Sequence, residues 1–316
     1  MRILMTGVTG FAGGHLAEAL AGQPGIELFG LCRCGKSADF SRLAAPVELV
    51  NCDLCNGSAL AATLTRIKPR QIYHLAGYAH AGKSVREADA AWAGNLTATR
   101  TLYDAVARWG GQVRLLFVGS GLVYENTQSA DHAHREDCPL LPATPYAASK
   151  SAADLLSYQC TRTPGLEIVR VRPFNHAGPR QSADYAVASF ARQIAAIEAG
   201  AQPPVLQTGD LSALRDLTDV RDVVRAYIAV MQSGLVGDVY NVASGVARSM
   251  QSVLDQLLAL SHVRIQARCN PELVRAVDTP VIRGDAAKLR FKTGWVPQFS
   301  FEQTLKDTLE YWRRCS

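Results

Sequence analysis

The chain has 316 residues, 48% hydrophobic and 19% charged, so it can bury the core of one large domain or of two closely packed ones. Its formal net charge of +5 comes without any block of like charges, which argues against a nucleic-acid or membrane-surface partner. The sequence shows neither a signal-peptide pattern nor the run of about 18 apolar residues that a membrane span needs, and we expect a cytoplasmic protein.

Eight cysteines are too few for a disulfide scaffold in a chain of this length. Cys32 and Cys34 form a C-x-C pair, and Cys52 and Cys55 form a C-x-x-C pair, which together could bind zinc. We interpret them instead as small apolar residues and expect no metal.

Short apolar runs alternate with helix-length segments through the first 175 residues. Continuous apolar runs are typical of parallel strands buried on both faces, and the alternation indicates βαβ crossovers. The runs that predict strands are 2–5, 26–32, 47–52, 71–75, 113–118 and 167–171. The segments that predict helices are 11–21, 58–65, 84–109 and 146–161. The sequence therefore predicts an α/β fold with a doubly wound parallel (Rossmann) sheet.

Beyond residue 174 the pattern changes, and a smaller, discontinuous α/β lobe is predicted. The further predicted helices are 187–199, 219–231, 249–260 and 301–313, and a strand at 239–242 returns to the first sheet. We predict a dinucleotide-binding domain of residues 1–174 plus 219–244 and a substrate lobe of residues 175–218 plus 245–316. The cleft between them is the expected binding site.

A glycine motif, Gly7-Val-Thr-Gly10-Phe-Ala-Gly13, connects the first predicted strand to the first predicted helix. Glycines allow a tight turn and a close backbone approach to a pyrophosphate, whose charge is favoured by free N–H groups and the helix dipole. Because the motif directly follows a strand, it predicts a dinucleotide cofactor rather than an ordinary glycine-rich turn.

The end of the second predicted strand carries Arg33 and no acid before Asp39. An acid there would bind the ribose hydroxyl of NAD(H), whereas an arginine suits the 2′-phosphate of NADP(H). We therefore predict NADP(H), with Arg33 on the 2′-phosphate and NAD(H) as the alternative cofactor. The alternative for Arg33 itself is that it stacks on adenine or faces water. Asp53, after the third strand, either accepts from the adenine amino group or is a solvated loop residue.

The stretch Tyr146-Ala-Ala-Ser-Lys150 predicts a catalytic pair. Thr144 suits the cap and Pro145 the first turn of a helix, and a spacing of four places Tyr146 and Lys150 on one helical face. A nearby ammonium favours the phenolate, so we expect it to lower the phenol pKa toward the useful range for acid–base catalysis.

Ser120 follows the fifth predicted strand, at the carboxyl edge where doubly wound folds bind ligands. Its hydroxyl is expected to hold a substrate oxygen against Tyr146; a simple turn serine is the alternative.

Together the glycine motif, Ser120, Tyr146 and Lys150 resemble the extended short-chain dehydrogenase/reductase family. The resemblance continues through His74-Leu-Ala-Gly77, Asn95-Leu-Thr-Ala-Thr-Arg-Thr-Leu102, Arg172-Pro-Phe-Asn175, Arg215-Asp-Leu-Thr-Asp219-Val and Tyr240-Asn-Val-Ala-Ser-Gly245. Within that family, Arg172-Pro-Phe-Asn-His-Ala-Gly-Pro-Arg-Gln181 and Ala191-Arg-Gln-Ile194 are similar to the GDP-mannose branch, which contains a 4,6-dehydratase and a 4-keto-6-deoxy-sugar reductase.

The resemblance implies roles for individual residues. The implied catalytic residues are Ser120, Tyr146 and Lys150. The implied cofactor contacts are Gly7, Thr9, Gly10, Phe11, Ala12, Arg33, Asp53, Leu54, Leu75, Ala76, Gly77, Asn95, Tyr146, Lys150 and Pro173. The implied sugar-nucleotide contacts are Ser120, Asn175, Arg180, Arg215 and Arg275. Arg215 and Arg275 are expected on the diphosphate, because guanidinium groups suit phosphate geometry. The alternative for each arginine is a solvated surface charge, and the alternative for Asn175 is the cap of a turn.

The residues after Ser120 favour a reductase over a dehydratase. Dehydratases of the family carry acids there, which remove a proton beside the carbonyl, whereas this chain has Gly121 and Leu122; Glu125 is out of register. We expect NADPH-dependent reduction of GDP-4-keto-6-deoxy-D-mannose to GDP-D-rhamnose. The alternatives are the C4 epimer GDP-6-deoxy-D-talose as product, an NAD-dependent nucleotide-sugar 4-epimerase, a dinucleotide-binding sensor and, less favoured, a GDP-mannose 4,6-dehydratase.

Analogy with the family also predicts the assembly. The predicted helix 84–109 and the Tyr146 helix are expected to pair with their copies in a homodimer, with a tetramer as the alternative.

Overall fold

A parallel sheet of seven strands forms the centre of this computed structural model, which describes residues 1–33, 45–125, 127, 129, 131–274 and 279–316. The strands are β1 (Arg2–Thr6), β2 (Glu27–Cys32), β3 (Glu48–Asn51), β4 (Gln71–His74), β5 (Val113–Val118), β6 (Leu166–Pro173) and β10 (Val239–Val242). Their order across the sheet is β3-β2-β1-β4-β5-β6-β10. The predicted doubly wound α/β class is confirmed.

Helices cover both faces of this sheet. They are α1 (Phe11–Ala21), α2 (Gly57–Ile67), α3 (Ala88–Trp92), α4 (Ala98–Trp109), α5 (Pro145–Cys160) and α7 (Val220–Ser233). Ile3 and Met5 of β1 join the core under α1 and α7, whereas Leu4 joins the core under α2 and α4. Successive side chains of a strand point to opposite faces, so a sheet buried on both sides needs the continuous apolar runs seen in the sequence.

The segment predicted as one helix, 84–109, is broken in the structure. A short 3₁₀ turn at Lys83–Val85 and helix α3 precede a π-helical turn, Ala93–Thr97, before α4 begins. A Cβ on Gly94 would lie 3.1 Å from the backbone nitrogen of Tyr78, so glycine allows this turn to approach the neighbouring loop. Helical periodicity in the sequence cannot reveal an inserted π turn.

A second core lies outside the large sheet. Its helices are α6 (Ala186–Glu198), α8 (Met250–Ala259) and α10 (Phe301–Arg313). The additional strands are β7 (Asn175–Ala177), β8 (Val205–Thr208), β9 (Leu214–Asp219), β11 (Ala247–Ser249), β12 (Gln266–Cys269) and β13 (Val281–Ile282). Strand β9 pairs with β7, β11 and β13, and β12 pairs with β8.

Helix α9 (Ala287–Thr293) packs on the first core rather than the second. Ile282, Leu289 and Trp295 all belong to the cluster under α1 and α7. The sequence assigned this stretch to the substrate lobe, so the exact division into lobes stays a prediction. Within the described residues, no helix has both the length and the apolar character to cross a membrane.

Candidate active site

The glycine turn after β1 has the shape that a dinucleotide cradle requires. Gly7 has a φ of +72°, and a Cβ there would lie 2.7 Å from the backbone nitrogen of Ala76. A Cβ on Gly13 would lie only 2.0 Å from the carbonyl oxygen of Gly7. Helix α1 has Gly10 as its N-cap, with no side-chain oxygen capping the first turn. The residues therefore fit a phosphate group brought against the helix N-terminus.

Ser120, Tyr146 and Lys150 come together at the carboxyl end of β5. Ser120 accepts from the backbone nitrogen of Leu122 at 3.2 Å, and its hydroxyl lies close enough to the Tyr146 phenol to influence the pKa of that phenol. The Lys150 ammonium donates to the carbonyl oxygen of Val118, the last residue of β5, at 3.0 Å. All three catalytic candidates are buried.

Helix α5 begins as the sequence predicted and is fixed firmly on the sheet. Thr144 is its N-cap and accepts from the backbone nitrogen of Ala147, and Pro145 occupies the first turn. One turn after Lys150, the fully buried Asp154 forms ion pairs with Arg170 and Arg172 of β6. This anchor fixes the rotation of α5, which in turn aims Tyr146 and Lys150.

Burial shifts the pKa values of the catalytic pair in opposite directions. It raises the pKa of the Tyr146 phenol, an effect that the nearby Ser120 hydroxyl partly offsets. It lowers the pKa of Lys150 to about 8, although the Asp154 carboxylate raises it. The expected lowering of the phenol pKa is therefore wrong in direction, because the loss of hydration outweighs the other influences.

The side chain of Asn95 lies close to Lys150. Its Nδ2 donates to Ser149 Oγ at 2.9 Å, while its buried Oδ1 has no hydrogen-bond partner among the described residues. A Cβ on Gly77 would lie 2.5 Å from Asn95 Oδ1 and 3.3 Å from Lys150 Nζ. The loop after β4, the π-helical turn and α5 therefore converge at one point, with a buried oxygen that fits a ligand donor.

The candidate cofactor contacts after β2 and β3 lie near the protein surface. Arg33 and Asp53 are exposed, and Leu54 is half-buried. Asp53 accepts from the backbone nitrogen of Cys55 at 2.9 Å, so part of its carboxylate already closes a turn. Cys34, one of the four cysteines of the zinc alternative, lies outside the described residues.

Two of the predicted sugar-nucleotide contacts lie on neighbouring strands. Asn175 is the first residue of β7, directly after Phe174, and its buried Oδ1 has no partner among the described residues. Arg215 of β9 is buried and donates to the carbonyl oxygen of Leu214 at 2.8 Å. Strands β7 and β9 are paired, with Asn175 opposite Leu217. Arg275 lies outside the described residues.

Arg180 lies in a different environment from the other predicted contacts. Its guanidinium forms a bidentate ion pair with Glu18 of α1 and contacts His15 Nδ1 at 2.9 Å. It borders a surface cavity of about 810 Å³ whose lining includes residues of α1, α7 and α10 but not Ser120, Tyr146 or Lys150. Its contact with the sugar nucleotide stays a prediction that this geometry does not favour.

Phe174 is a site residue to which the sequence gave no role. A Cβ on Gly121 would lie 2.9 Å from the Phe174 ring, and a Cβ on Gly284 would lie 2.6 Å from it. The ring is buried and also stacks with Tyr124. The only signal in the sequence was the glycine that follows Ser120. The ring occupies the space beside Ser120 that a side chain at position 121 would need.

The chain is similar to known nucleotide-sugar enzymes along nearly its whole length. The model of the family described as GDP-mannose 4,6 dehydratase matches residues 4–308. The GDP-6-deoxy-D-mannose reductase of Pseudomonas aeruginosa is 32% identical over 311 residues, which are 98% of this chain and 97% of the relative.

Solved structures of similar shape cover the whole chain. RMD from Pseudomonas aeruginosa complexed with NADPH has a TM-score of 0.86 at 30% identity and covers 100% of this chain and 99% of that one. UDP-glucose 4-epimerase of Thermus thermophilus complexed with NAD has a TM-score of 0.89 at 26% identity and covers 100% of both chains. The family resemblance and the enzyme class predicted from the sequence are confirmed. The chain belongs to the GDP-mannose 4,6-dehydratase family, within the extended short-chain dehydrogenases/reductases.

Proposed function

We propose that the chain is an NADPH-dependent reductase of a GDP-linked 4-keto-6-deoxy sugar. The substrate proposed is GDP-4-keto-6-deoxy-D-mannose, and the product is GDP-D-rhamnose. The observation that carries the proposal is the buried cluster of Ser120, Tyr146 and Lys150 beside a position 121 that holds no acid. The name of the Pseudomonas relative, a GDP-6-deoxy-D-mannose reductase, supports the same reaction class.

Each residue of the cluster has its own role in the proposed reaction. When bound, the dinucleotide supplies the hydride that reduces the carbonyl carbon. Ser120 orients the C4 oxygen, and Tyr146, kept protonated by its burial, gives its proton to that oxygen. The Lys150 ammonium stabilises the phenolate that remains on Tyr146.

The environment of Ser120 does not suit elimination. A dehydratase needs a base that removes a proton next to the carbonyl, and neither Gly121 nor Leu122 can do so. An acid introduced at position 121 would meet the Phe174 ring, because even its Cβ would be 2.9 Å away. This packing favours reduction, which needs no such base.

NADPH is the preferred cofactor in this proposal, with NADH as the alternative. The exposed Arg33 at the end of β2 and the absence of an acid there support the preference, as does the NADPH-bound Pseudomonas neighbour. Losing a charge-assisted contact to the 2′-phosphate should raise the KM for NADPH about 10- to 100-fold in Arg33→Ala, while the KM for NADH stays within about twofold. Steady-state kinetics with both cofactors measures this, and an equal loss with each would show that Arg33 does not read the phosphate.

A nucleotide-sugar 4-epimerase is the second candidate, because the similar Thermus enzyme is an epimerase complexed with NAD. An epimerase regenerates its cofactor in every cycle, whereas a reductase consumes NADPH in proportion to product. The test is to couple the protein to a dehydratase that makes the keto-sugar, follow NADPH oxidation and identify the product by NMR. Equimolar NADPH loss with GDP-D-rhamnose as product supports the proposal; GDP-6-deoxy-D-talose corrects the stereochemistry only, and conversion without NADPH loss overturns it.

We also propose a homodimer formed through the α4–α5 side of the sheet. On α5, Leu155 is 59% exposed and Tyr158 is 47% exposed, so this helix presents two large apolar side chains to solvent one turn apart. Trp92 of α3 is also exposed. A second copy that covers these side chains would remove them from water.

A further inference from the structure

His74, the last residue of β4, is fully enclosed beside the candidate active site. Its Nδ1 lies 2.8 Å from the hydroxyl oxygen of Thr6, and its Nε2 lies 2.9 Å from the hydroxyl oxygen of Thr99. Only 1% of its surface is exposed. Both ring nitrogens therefore have hydrogen-bond partners, and neither partner is one of the three catalytic candidates.

The neighbouring hydrogen bonds fix the direction of every proton in this network. The Ala76 backbone N–H donates to Thr6 Oγ1 at 3.0 Å, and the Thr99 hydroxyl donates to the carbonyl oxygen of Asn95 at 2.5 Å. Because the single hydroxyl proton of Thr99 is thereby used, its oxygen must accept from Nε2–H of His74. Nδ1 of His74 then accepts from the Thr6 hydroxyl.

A neutral imidazole with one proton satisfies this arrangement completely. Burial, together with the nearby positive charge of Lys150, lowers the pKa of His74 to about 3, so the ring stays neutral throughout the working range of the protein. The network is a directed chain from Ala76 N–H through Thr6, His74 and Thr99 to the Asn95 carbonyl. A fully satisfied buried network of this kind rigidifies the segments that it joins.

The joined segments are the ones that meet around the proposed reaction centre. Thr6 directly precedes Gly7, Ala76 lies in the loop after β4, and Asn95 lies in the π-helical turn. A Cβ on Gly77 would lie 2.5 Å from Asn95 Oδ1 and 3.3 Å from Lys150 Nζ, so these two groups border the same space above Gly77. The chain of hydrogen bonds therefore ends at Asn95, whose side chain borders the same space above Gly77 as the Lys150 ammonium.

We propose that His74, held between Thr6 and Thr99, is a positioning residue that sets Asn95 and the loop at Leu75–Gly77 against Lys150. It acts through these groups and not on the substrate. The inference rests on the proposed reductase function for its effect on turnover, while its effect on cofactor binding can be measured without any sugar substrate.

The test uses Thr99, because it permits substitutions that are nearly equal in volume. Thr99→Val removes the hydroxyl that links His74 to Asn95, and Thr99→Ser keeps it. Thr101→Val is the matched control: Thr101 also lies on α4 and bonds the carbonyl four residues back, that of Thr97 at 2.9 Å, but outside the network. All variants are measured well below their melting temperatures, and circular dichroism establishes that they are folded.

We expect Thr99→Val to raise the Kd for NADPH and lower kcat by about fivefold or more each, since it leaves buried polar groups unpaired. Wild-type activity should fall as the pH rises past the pKa of Lys150, about 8, and we expect the pH of this fall to shift in Thr99→Val, because Asn95 and the Leu75–Gly77 loop are no longer held against Lys150. Thr99→Ser should restore both constants to within about twofold of the wild type, and Thr101→Val should not differ from the wild type. Fluorescence titration gives the Kd for NADPH, and initial rates across a pH series give kcat and its pH dependence.

A purely structural role predicts a different result. If Thr99→Val lowers the melting temperature but leaves Kd, kcat and the pH dependence at wild-type values, His74 has no positioning role. Thr6→Val, compared with Thr6→Ser, repeats the test from the opposite end of the network should Thr99→Val fail to fold. A wild-type protein that binds NADPH but reduces no keto-sugar would overturn the proposed function, while the Kd comparison would still decide the role of His74.

Discussion

At the residue scale, burial prepares Tyr146 and Lys150 for opposite tasks. The phenol keeps its proton because its pKa is raised, which is the state that a proton donor needs. The Lys150 ammonium has a pKa of about 8, so it is mostly charged at neutral pH and loses its proton about one pH unit higher. The spacing of the two residues could be predicted from the sequence, whereas the direction of the phenol shift could not, because it depends on how completely the folded protein excludes water.

The pKa of Lys150 predicts how activity depends on pH. Above about pH 8 the amine loses its proton and no longer stabilises the phenolate, so kcat for reduction should fall, approaching about tenfold per pH unit. In Lys150→Arg the guanidinium stays charged, so whatever activity remains should not show this fall. Initial rates from about pH 6 to pH 10 measure it, and a wild-type kcat that is flat across that range would rule out the role of Lys150.

At the element scale, long periodic segments were predictable and short or irregular ones were not. The parallel strands and the start of α5 at Thr144 and Pro145 follow from apolar runs and capping residues. Strand β9 reads Leu-Arg-Asp-Leu-Thr-Asp, so no apolar run marks it in the sequence. Its charged residues Arg215, Asp216 and Asp219 are nevertheless buried, because hydrogen bonds satisfy them in the folded protein. The π-helical turn and the packing of Phe174 against Gly121 depend on tertiary contacts, which leave no periodic signal.

The contact between Phe174 and the turn at Gly121 yields a prediction. Gly121→Ala brings a methyl group to 2.9 Å from the buried ring, and overpacking of this kind costs about 1–3 kcal/mol. We expect a lower melting temperature and a lower kcat, because the displaced turn begins at Ser120. The control is Gly22→Ala at the end of α1, where the φ is −72° and the added Cβ would lie 3.8 Å from its nearest neighbour. Calorimetry and kinetics compare the two, and equal stability of both variants would show that the ring does not close this space.

At the scale of the whole molecule, the family and the sheet topology were accessible from the sequence because their motifs extend along the chain. The lobe boundaries are harder to place, since the segment around α9 returns to the first core after the chain has built much of the second. The cytoplasmic location and the homodimer stay predictions.

The proposed dimer surface can be tested with one exposed residue. Leu155→Arg should place a charge in the contact without disturbing the core, so the mass measured by light scattering after size-exclusion chromatography should fall to that of one chain. Leu235→Arg is the control, because Leu235 is similarly exposed, at 55%, but lies in the loop after α7. A wild-type protein that is already monomeric, or a Leu155→Arg variant that keeps its dimer mass, would refute the α5 contact.

The most direct test of the account is the rate of NADPH-dependent keto-sugar reduction by Tyr146→Phe, together with its Kd for NADPH. The substitution removes the proton donor and little else, so we predict a loss of about 10²- to 10⁴-fold in kcat with NADPH binding close to that of the wild type. Turnover near the wild-type rate would mean that the buried phenol is not the proton donor and that the reaction proposed for this site is wrong.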